Sequence, residues 1–246
     1  MNRDVVDRVS ACDWPSIEGS LDAVGFAPLG SILTPADCDA LAALYGDDSR
    51  FRSRIDMERF RFGVGEYKYF AAPLPPLIEL LRRELYARLA PTANRWAARA
   101  GHAASAGRPG GGGPAFPATL DDFLARCHAA GQRRPTPLLL SYAAGGYNCL
   151  HQDIYGELAF PLQVVFVLSP SEAYRGGELL LVEQRPRAQS RGHVVAIAQG
   201  AGVAFATRER PVEGTRGAYR VVMRHGVGTI AAGRRMSLGI IFHDAK

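Results

Sequence analysis

From Pro137 onward the chain consists of short apolar runs that are rich in β-branched and aromatic residues. Gly, Pro and Ser interrupt these runs about every 8 to 15 residues, as turns interrupt antiparallel strands. Many short strands at such intervals predict a β-sandwich or a β-barrel. The runs are PLLLSYA, AFPLQVVFVLS, GELLLVE, HVVAIAQ, GVAFAT, AYRVVMRHGV and MSLGIIFH.

The first half of the chain carries helical signals instead. Thr34 and Pro35 are suited to the N-cap and first position of a helix, and Thr119 caps a later amphipathic run. Between them, leucines at helical spacing reach Pro91, where we expect the helix to break or kink before a further helix around Trp96. Helices followed by strands predict an α+β fold, with the helices packed on one side of a β core.

We expect a single domain over residues 1–246, because β cores of this size often form one unit. Residues 1–135 form a mainly helical buttress, and residues 136–246 form the β core. The consecutive glycines and flanking prolines within 103–117 predict a flexible surface loop. This loop is not a phosphate-binding loop, because no GK[ST] follows it.

The cysteines, N-terminus and hydropathy indicate the compartment. The four cysteines are scattered without a CxxC spacing, which argues against a disulfide scaffold or a zinc ribbon. The N-terminal stretch has no apolar signal region, and no run approaches the roughly 18 apolar residues of a membrane span. We therefore expect a cytoplasmic protein outside the membrane. The oligomeric state stays open, and a monomer is compatible with these features.

The net charge of +5 permits an acidic partner such as nucleic acid. Ten arginines stand against two glutamates between positions 185 and 235, an excess of eight positive charges within the β core. Such clustering suits contacts with phosphates. Nearly all basic residues are Arg, the lysines being Lys68 and Lys246, so the codon bias of a GC-rich genome explains the total equally well. An anionic small substrate is a third explanation.

A candidate metal site ends the stretch YAAGGYNCLHQD. His151 and Asp153 are two residues apart, so on an extended strand both side chains point to the same side. A third ligand must come from a distant strand. His225 is favoured over His193 and His243, because it ends an apolar strand directly before Gly226.

Two polar residues follow His225 on the next strand. We predict a short hairpin from 225 to 235 that brings Arg235 and Ser237 close to the metal ligands, with Arg234 pointing the other way. Arginine pairs with a carboxylate through two parallel hydrogen bonds. Arg235 and Ser237 therefore predict a seat for the distal carboxylate of a small dicarboxylate.

The ligand set indicates a class of chemistry. Two histidines and one carboxylate with open coordination positions are the ligands of non-haem Fe(II) oxygenases, which bind a keto acid and O2 together. A zinc hydrolase could use the same three ligands. It would need a nearby Glu as base and has no use for Arg235 and Ser237.

The ordered set HQD, H and RMS resembles the HxD…H…RxS signature of the Fe(II)/2-oxoglutarate-dependent dioxygenases. The resemblance implies a double-stranded β-helix (a jelly roll, cupin-like) as catalytic core. The GGEL at 176–179 resembles a turn and strand that are often found in the middle of this fold. YAAGGYNCLHQD is similar to AlkB-type nucleic-acid dealkylases, in which a Tyr nine residues before the first metal His helps to hold 2-oxoglutarate. Tyr142 has that position. The whole chain also resembles an uncharacterised bacterial oxygenase family predicted to act on nucleic acid.

The resemblance implies Fe(II), 2-oxoglutarate and O2 as cofactor and co-substrates, with ascorbate in support, and DNA as the substrate of oxidative demethylation or dealkylation. Two AlkB-type features are missing, because Leu140 stands in place of an Asn and Ile241 in place of a second Arg. An N-terminal GF…L start is shared with prolyl hydroxylases, so hydroxylation of a protein or of a small molecule is an alternative. A cupin-like sensor of metal or 2-oxoglutarate, without turnover, is the non-enzymatic alternative.

One further segment interleaves arginine with aromatic residues. SRFRSRIDMERFRFGVGEYKYF, at 49–70, combines the charges that contact phosphates with rings that stack on bases. Enzymes that modify a base must take it out of the duplex stack, so the segment is a candidate lid over a flipped base. The alternative is a helix and a strand that simply cover the barrel.

Overall fold

The structure is a computed structural model that describes residues 2–100, 115–215 and 217–246. The helices are α1 (Asn2–Ser10), α2 (Trp14–Val24), α3 (Pro35–Ala43), α4 (Pro76–Arg99) and α5 (Leu120–Ala129). The strands are β1 (Phe26–Ser31), β2 (Phe51–Asp56), β3 (Gly63–Val64), β4 (Glu66–Phe70), β5 (Leu138–Ala143), β6 (Tyr147–His151), β7 (Leu162–Val167), β8 (Tyr174–Gly176), β9 (Leu179–Gln184), β10 (Arg191–Val195), β11 (Ala201–Ala206), β12 (Glu209–Gly214), β13 (Gly217–Val227) and β14 (Ile230–Ile241).

The strands form two antiparallel sheets. The large sheet has the order β1-β11-β7-β14-β5-β4-β2, with β8 added on β14. The small sheet has the order β10-β9-β13-β6-β3, with β12 added on β13. Leu179 and Leu181 of the small sheet pack with Val203 and Phe205 of the large sheet, so the sheets face each other across a shared core. The predicted α+β fold with a jelly-roll core is confirmed.

The helices cover the outer face of the large sheet. Strand β7 shows the alternation that sets this division: Val164 and Phe166 point into the helix-covered core, whereas Gln163 and Val165 line the cavity between the sheets. Leu238 of β14 joins Leu81 of α4 in the same helix-side core. Period-2 alternation thus separates the residues that hold the fold together from those that face the cavity.

The predicted helix starts are confirmed. Thr34 caps α3 in a reciprocal capping box with Asp37, and Thr119 caps α5. The predicted helix break at Pro91 is wrong, because α4 runs without interruption through this residue. Pro91 lies on the exposed side of the helix, where water can satisfy the carbonyl that the ring leaves without a donor. Buried residues on the opposite side, such as Leu89 and Trp96, hold both halves on the core.

The predicted hairpin between 225 and 235 is also wrong. Strand β13 pairs with β6, β9 and β12 in the small sheet, whereas β14 pairs with β5, β7 and β8 in the large sheet. The chain therefore crosses from one sheet to the other at Gly228 and Thr229. His225 and Arg235 approach the cavity from opposite sheets rather than from neighbouring strands.

The N-terminal part of the chain contributes strands as well as helices. Strands β1, β2 and β4 extend the large sheet, and β3 adds to the small sheet. Most of the predicted Gly-rich loop, residues 103–114, lies outside the described residues. Within the described ranges, no helix combines the length and the apolar character that a membrane crossing requires.

Candidate metal centre

His151 and His225 lie directly opposite each other on the paired strands β6 and β13. Their ring centroids are 4.2 Å apart. Asp153 follows just beyond the end of β6, with Oδ2 at 3.1 Å from Nε2 of His225 and Oδ1 at 3.5 Å from Nε2 of His151. The three candidate ligand atoms lie within 4.8 Å of one another. The structure therefore brings together the three residues that the sequence predicted as a metal site.

The surroundings of the triad favour the ionised form of the Asp153 carboxylate. Burial acts to raise the pKa of Asp153, but the hydrogen bonds and charges of His151 and His225 outweigh it and hold the pKa well below its usual range. Burial lowers the pKa of His225, and the nearby His151 lowers it further. Burial also acts to lower the pKa of His151, but the hydrogen bond with Asp153 and the charge of Asp153 raise it. Asp153 and His225 thus favour the protonation states that a metal ion requires, whereas Asp153 favours a protonated His151, whose proton a metal ion would displace.

His151 is oriented by the backbone. Its Nδ1 lies 2.8 Å from the carbonyl oxygen of Cys149. A proton on Nδ1 donates to this carbonyl and leaves the lone pair of Nε2 free on the side of Asp153. Gln152, between the two ligands, donates from Nε2 to the carbonyls of Arg208 and Met223. The HQD triplet thus contains two candidate ligands and an anchor for the chain that carries them.

The cavity beside the triad measures about 370 Å³. Its apolar walls include Leu138, Leu140, Val165, Leu179 and Phe205. The polar lining includes the triad, Ser237, Asn148, Gln163 and three tyrosines, Tyr67, Tyr69 and Tyr155. This size suits a small ligand together with part of a larger substrate.

Arg235 lies beside this cavity rather than in its lining. It is 1% exposed, its Nη1 lies 3.3 Å from Oγ of Ser237, and its Nε has no hydrogen-bond partner among the described residues. Burial lowers its pKa, while Tyr142 and Tyr174 favour the charged form. Within the described chain, no carboxylate oxygen comes within 4.0 Å of the guanidinium, although Glu178 acts on it from farther away.

Two glycines make room for this polar group. Gly177 of the GGEL segment has φ +73°, and a Cβ there would come within 3.0 Å of Cδ of Arg235. Gly65 has φ +147°, and a Cβ there would lie 2.7 Å from the ring of Tyr142. Tyr142 is fully buried opposite Arg235 on the paired strand, and its hydroxyl accepts from Asn148 at 3.4 Å. The structure places Tyr142 next to Arg235 and outside the cavity lining.

The interleaved segment at 49–70 borders the cavity through Arg61, Phe62, Tyr67 and Tyr69, and we call residues 60–62 the rim. It contains β2, β3 and β4 and a 3₁₀ turn at Glu58–Phe60, so the expected helix and strand are mainly strands. Phe60 and Phe62 are 48% and 47% exposed and stack with centroids 5.7 Å apart. Arg61 and Phe62 line the cavity. Exposed aromatic rings next to a cavity with a few polar groups are the kind of surface that contacts a substrate.

The sequence did not single out three residues around the triad. Tyr155 donates to Oδ1 of Asp153 at 2.5 Å, and Tyr69 donates to Tyr155 at 2.9 Å. Gln163, buried on β7, has Nε2 at 3.4 Å from Nε2 of His225. Only Tyr155 left a sequence signal, because HQDIY continues the alternate spacing of the two ligands by one more step.

A family model described as an oxygenase catalysing oxidative methylation of damaged DNA matches residues 65–245 of the chain. The chain belongs to this oxygenase family. Curated relatives of the oxygenase are uncharacterized proteins of Mycobacterium tuberculosis strains CDC 1551 and H37Rv. Each is 51% identical over 177 residues, which cover 72% of the oxygenase and 72% of the relative.

Solved structures share the fold of the oxygenase. A Pseudomonas putida prolyl-4-hydroxylase superposes with a TM-score of 0.54 at 14% identity, over 95% of this chain and 99% of the other. A 2OG-Fe(II) oxygenase family oxidoreductase of Burkholderia pseudomallei superposes with a TM-score of 0.53 at 15% identity, over 96% and 93%. The predicted superfamily fold is confirmed, and membership of the oxygenase family confirms an enzyme rather than a sensor.

Proposed function

We propose that the oxygenase uses Fe(II) and 2-oxoglutarate, with His151, Asp153 and His225 as metal ligands. The donor set fits the metal: two imidazole nitrogens and one carboxylate oxygen can occupy one face of an octahedral ion. The apolar walls of the cavity would limit the access of water to the remaining positions. Fe(II) with 2-oxoglutarate and O2 supplies the oxidising power for hydroxylation of a C–H bond, and 2-oxoglutarate leaves as succinate and CO2.

The observation that carries the proposal is the uncompensated charge of Arg235. A buried guanidinium without a paired carboxylate is costly, because the more distant Glu178 and the neighbouring tyrosines do not outweigh its desolvation. The distal carboxylate of 2-oxoglutarate would offset it, with the hydroxyl of Ser237 as a further donor. Tyr142, packed beside Arg235, would restrict the guanidinium to this orientation or contact the same carboxylate.

As the substrate we propose an N-methylated base in nucleic acid. The described role of the family supports this class. The rim supports it independently, because Phe60 and Phe62 offer stacking surface and Arg61 a cation at the entrance to the cavity. Hydroxylation inserts one oxygen atom of O2 into a methyl C–H bond, while the other oxidises the keto acid. The resulting N–CH2OH group loses formaldehyde and leaves N–H on the base.

The arginine-rich stretch at 185–235 supports a nucleic-acid substrate less strongly than its number of arginines suggests. Arg210 and Arg235 are buried, and Arg216 lies outside the described residues. The exposed members include Arg220 and Arg224, on the outer face of β13. The support for a nucleic-acid substrate therefore comes from the rim rather than from the number of arginines.

The proposal is tested with the purified full chain, Fe(II), ascorbate and 2-oxoglutarate. Methylated single-stranded and double-stranded DNA are the substrates, and succinate and formaldehyde are both measured. Equal amounts of the two products from methylated DNA, and none from unmethylated DNA, support the proposal. Formation of succinate without formaldehyde on any nucleic acid would support the proposed use of Fe(II) and 2-oxoglutarate and contradict the proposed substrate.

A second candidate substrate is a prolyl residue in a protein. It is favoured by the likeness to the prolyl-4-hydroxylase of Pseudomonas putida across nearly the whole of both chains. The same reaction with proline-containing peptides distinguishes the two, because prolyl hydroxylation adds the mass of one oxygen atom, about 16 mass units, and releases no formaldehyde.

A further inference from the structure

A chain of hydroxyl groups ends on the carboxylate of Asp153. The hydroxyl of Tyr155 lies 2.5 Å from Oδ1 of Asp153, and the hydroxyl of Tyr69 lies 2.9 Å from that of Tyr155. An ionised carboxylate can only accept hydrogen bonds, so Tyr155 must donate to it. The oxygen of Tyr155 is then left to accept from Tyr69. The direction of both hydrogen bonds is therefore fixed.

The large sheet holds Tyr69, the outer member of this pair of hydrogen-bonded hydroxyl groups. Tyr69 is buried on β4, and its ring packs edge-on against that of Tyr155 with centroids 6.0 Å apart. The guanidinium of Arg52, on the neighbouring β2, lies 4.6 Å from the centre of the Tyr69 ring. Arg52 is itself tied to the backbone carbonyl of Pro135 through Nε, at 2.9 Å. Tyr69 thus has a fixed position from which to orient Tyr155.

Asp153, in contrast, lies beyond the end of β6, and residues 152–155 belong to no strand. Its side chain therefore depends on its partners for orientation. Oδ1 receives the hydrogen bond of Tyr155 and lies 3.5 Å from Nε2 of His151, whereas Oδ2 receives no hydroxyl hydrogen bond from the described residues and lies closer to a ligand nitrogen, at 3.1 Å from Nε2 of His225. The two oxygens have different surroundings, and only Oδ2 lacks a hydroxyl donor among the described residues.

We propose that Tyr155 and Tyr69 are positioning residues that hold Asp153 so that it offers Oδ2 alone to the metal. The inference rests on the proposed function, because it presumes that the triad binds a metal ion. A carboxylate that binds through one oxygen leaves one more coordination position for the keto acid and O2. Without Tyr155, the carboxylate is no longer held in the orientation that suits the metal, which weakens metal binding, and its second oxygen is free to obstruct that position.

The test measures the affinity of the full chain for Mn(II), which needs no turnover. Loss of a hydrogen-bond partner of a metal ligand lowers metal affinity about 10- to 100-fold. We expect a loss of this size in Tyr155→Phe and a smaller loss in Tyr69→Phe, which reaches Asp153 only through Tyr155. Because the two hydroxyls act in series, the double variant should match Tyr155→Phe within about twofold rather than show the product of the two losses.

Tyr86→Phe is the matched control. Tyr86 is fully buried and donates to the carbonyl of Pro117 at 2.9 Å, away from the triad. The free energy of unfolding should fall in Tyr86→Phe as it does in Tyr155→Phe, because each variant loses one buried hydrogen bond. The affinity for Mn(II) should stay unchanged in Tyr86→Phe. A second measurement, made at saturating Mn(II), is the Kd for 2-oxoglutarate. This Kd should rise in Tyr155→Phe and stay unchanged in Tyr86→Phe.

The outcomes separate the inference from the proposed function. Wild-type chain that binds no Mn(II) would overturn both. Wild-type chain that binds Mn(II), with Tyr155→Phe unchanged within twofold, would overturn the inference alone. The inference is also overturned if Tyr86→Phe loses as much affinity as Tyr155→Phe, or if the losses of Tyr155→Phe and Tyr69→Phe multiply in the double variant. If Tyr155→Phe does not fold, Tyr69→Phe with unchanged affinity overturns it.

Discussion

Two buried arginines of the β core, Arg210 and Arg235, have opposite surroundings. Each is 1% exposed. Arg210 donates to Oε2 of Glu183 at 2.5 Å and to the carbonyl of Asp22 at 3.0 Å. Nη1 of Arg235 lies 3.3 Å from the hydroxyl of Ser237, and Tyr174 provides a further hydrogen-bond partner, but among the described residues no carboxylate lies within 4.0 Å of this guanidinium. The chain therefore pairs one buried guanidinium with a carboxylate and leaves the other without a paired anion.

The difference separates a structural role from a binding role. A third buried arginine, Arg82, follows the paired pattern, because its Nη2 lies 2.7 Å from Oδ1 of Asp244. Replacing the arginine of a buried ion pair leaves its carboxylate without a compensating charge. Replacing Arg235 leaves no such carboxylate, because none among the described residues is paired with it. Arg210 and Arg82 thus stabilise the fold, and Arg235 has the surroundings of a residue that binds an anionic ligand.

The largest expected effect is at the proposed metal ligands, on which the binding role of Arg235 depends. His225→Ala removes one of three ligands, and we expect metal binding and succinate formation to be lost. Retained Mn(II) after dialysis is the measurement. His193→Ala is the control, because His193 packs against the ring of Phe26 and is not one of the grouped candidate ligands. Stoichiometric Mn(II) in His225→Ala would show that the triad is not the metal site.

The next effect contrasts the two arginines directly. Arg210→Met strands Glu183, whose remaining partner is the exposed Arg185, so we expect the free energy of unfolding to fall by about 2–4 kcal/mol. Arg235→Met strands no carboxylate, so without ligand its free energy of unfolding should stay the same or rise by about 1–2 kcal/mol. Urea denaturation of both variants measures this. Equal destabilisation by the two substitutions would remove the distinction between them.

A smaller effect is expected at the rim. Phe60→Ala and Phe62→Ala should each lower kcat/KM for methylated single-stranded DNA about 5- to 160-fold, since stacking contributes about 1–3 kcal/mol per base. The Kd for 2-oxoglutarate should not change. Val194→Ala is the control, because Val194 is 70% exposed on β10 and does not line the cavity. Unchanged kcat/KM in both phenylalanine variants would exclude the rim as the base-binding surface.

The smallest effect concerns a single charge at the cavity entrance. Arg61→Gln should weaken DNA binding a few-fold and reduce the slope of log K against log salt concentration by about 0.7, as expected for one phosphate contact on a single strand. Titration of fluorescent DNA at several salt concentrations gives the slope. Arg83→Gln, which removes a partner of Glu79 and Asp121 on the helical side, should leave the slope unchanged.

Much of the site was accessible from the sequence, because the spacing of its residues has a direct geometrical meaning. His151 and Asp153 lie together as the two-residue period of a strand predicts, although β6 ends at His151, and the pairing of β6 with β13 places His225 opposite His151. The same period correctly places Arg235 and Ser237 inside and Arg234 outside. Short-range periodicity thus predicted which side chains are buried on the side of the site, although Arg235 lies beside the cavity and not in its lining.

Long-range pairing was not accessible in the same way. The short connection at Gly228 and Thr229 predicts a hairpin, yet it joins the two sheets. The reason is that β13 and β14 pair with strands from distant parts of the chain. The continuity of α4 through Pro91 depends on core packing on the opposite side of the helix. Tyr69 lies far before Asp153 in the chain and meets it only through Tyr155, so no local pattern shows the contact.

The most direct test of the account is the stabilisation of the protein by 2-oxoglutarate at saturating Mn(II) in wild type, Arg210→Met and Arg235→Met. A ligand at about 100 times its Kd stabilises the native state by about 2.7 kcal/mol, which raises the Tm. We predict this rise in wild type and, from a lower starting Tm, in Arg210→Met, with none in Arg235→Met at the same concentration. A rise of wild-type size in Arg235→Met would contradict the assignment of Arg235 to the carboxylate of 2-oxoglutarate.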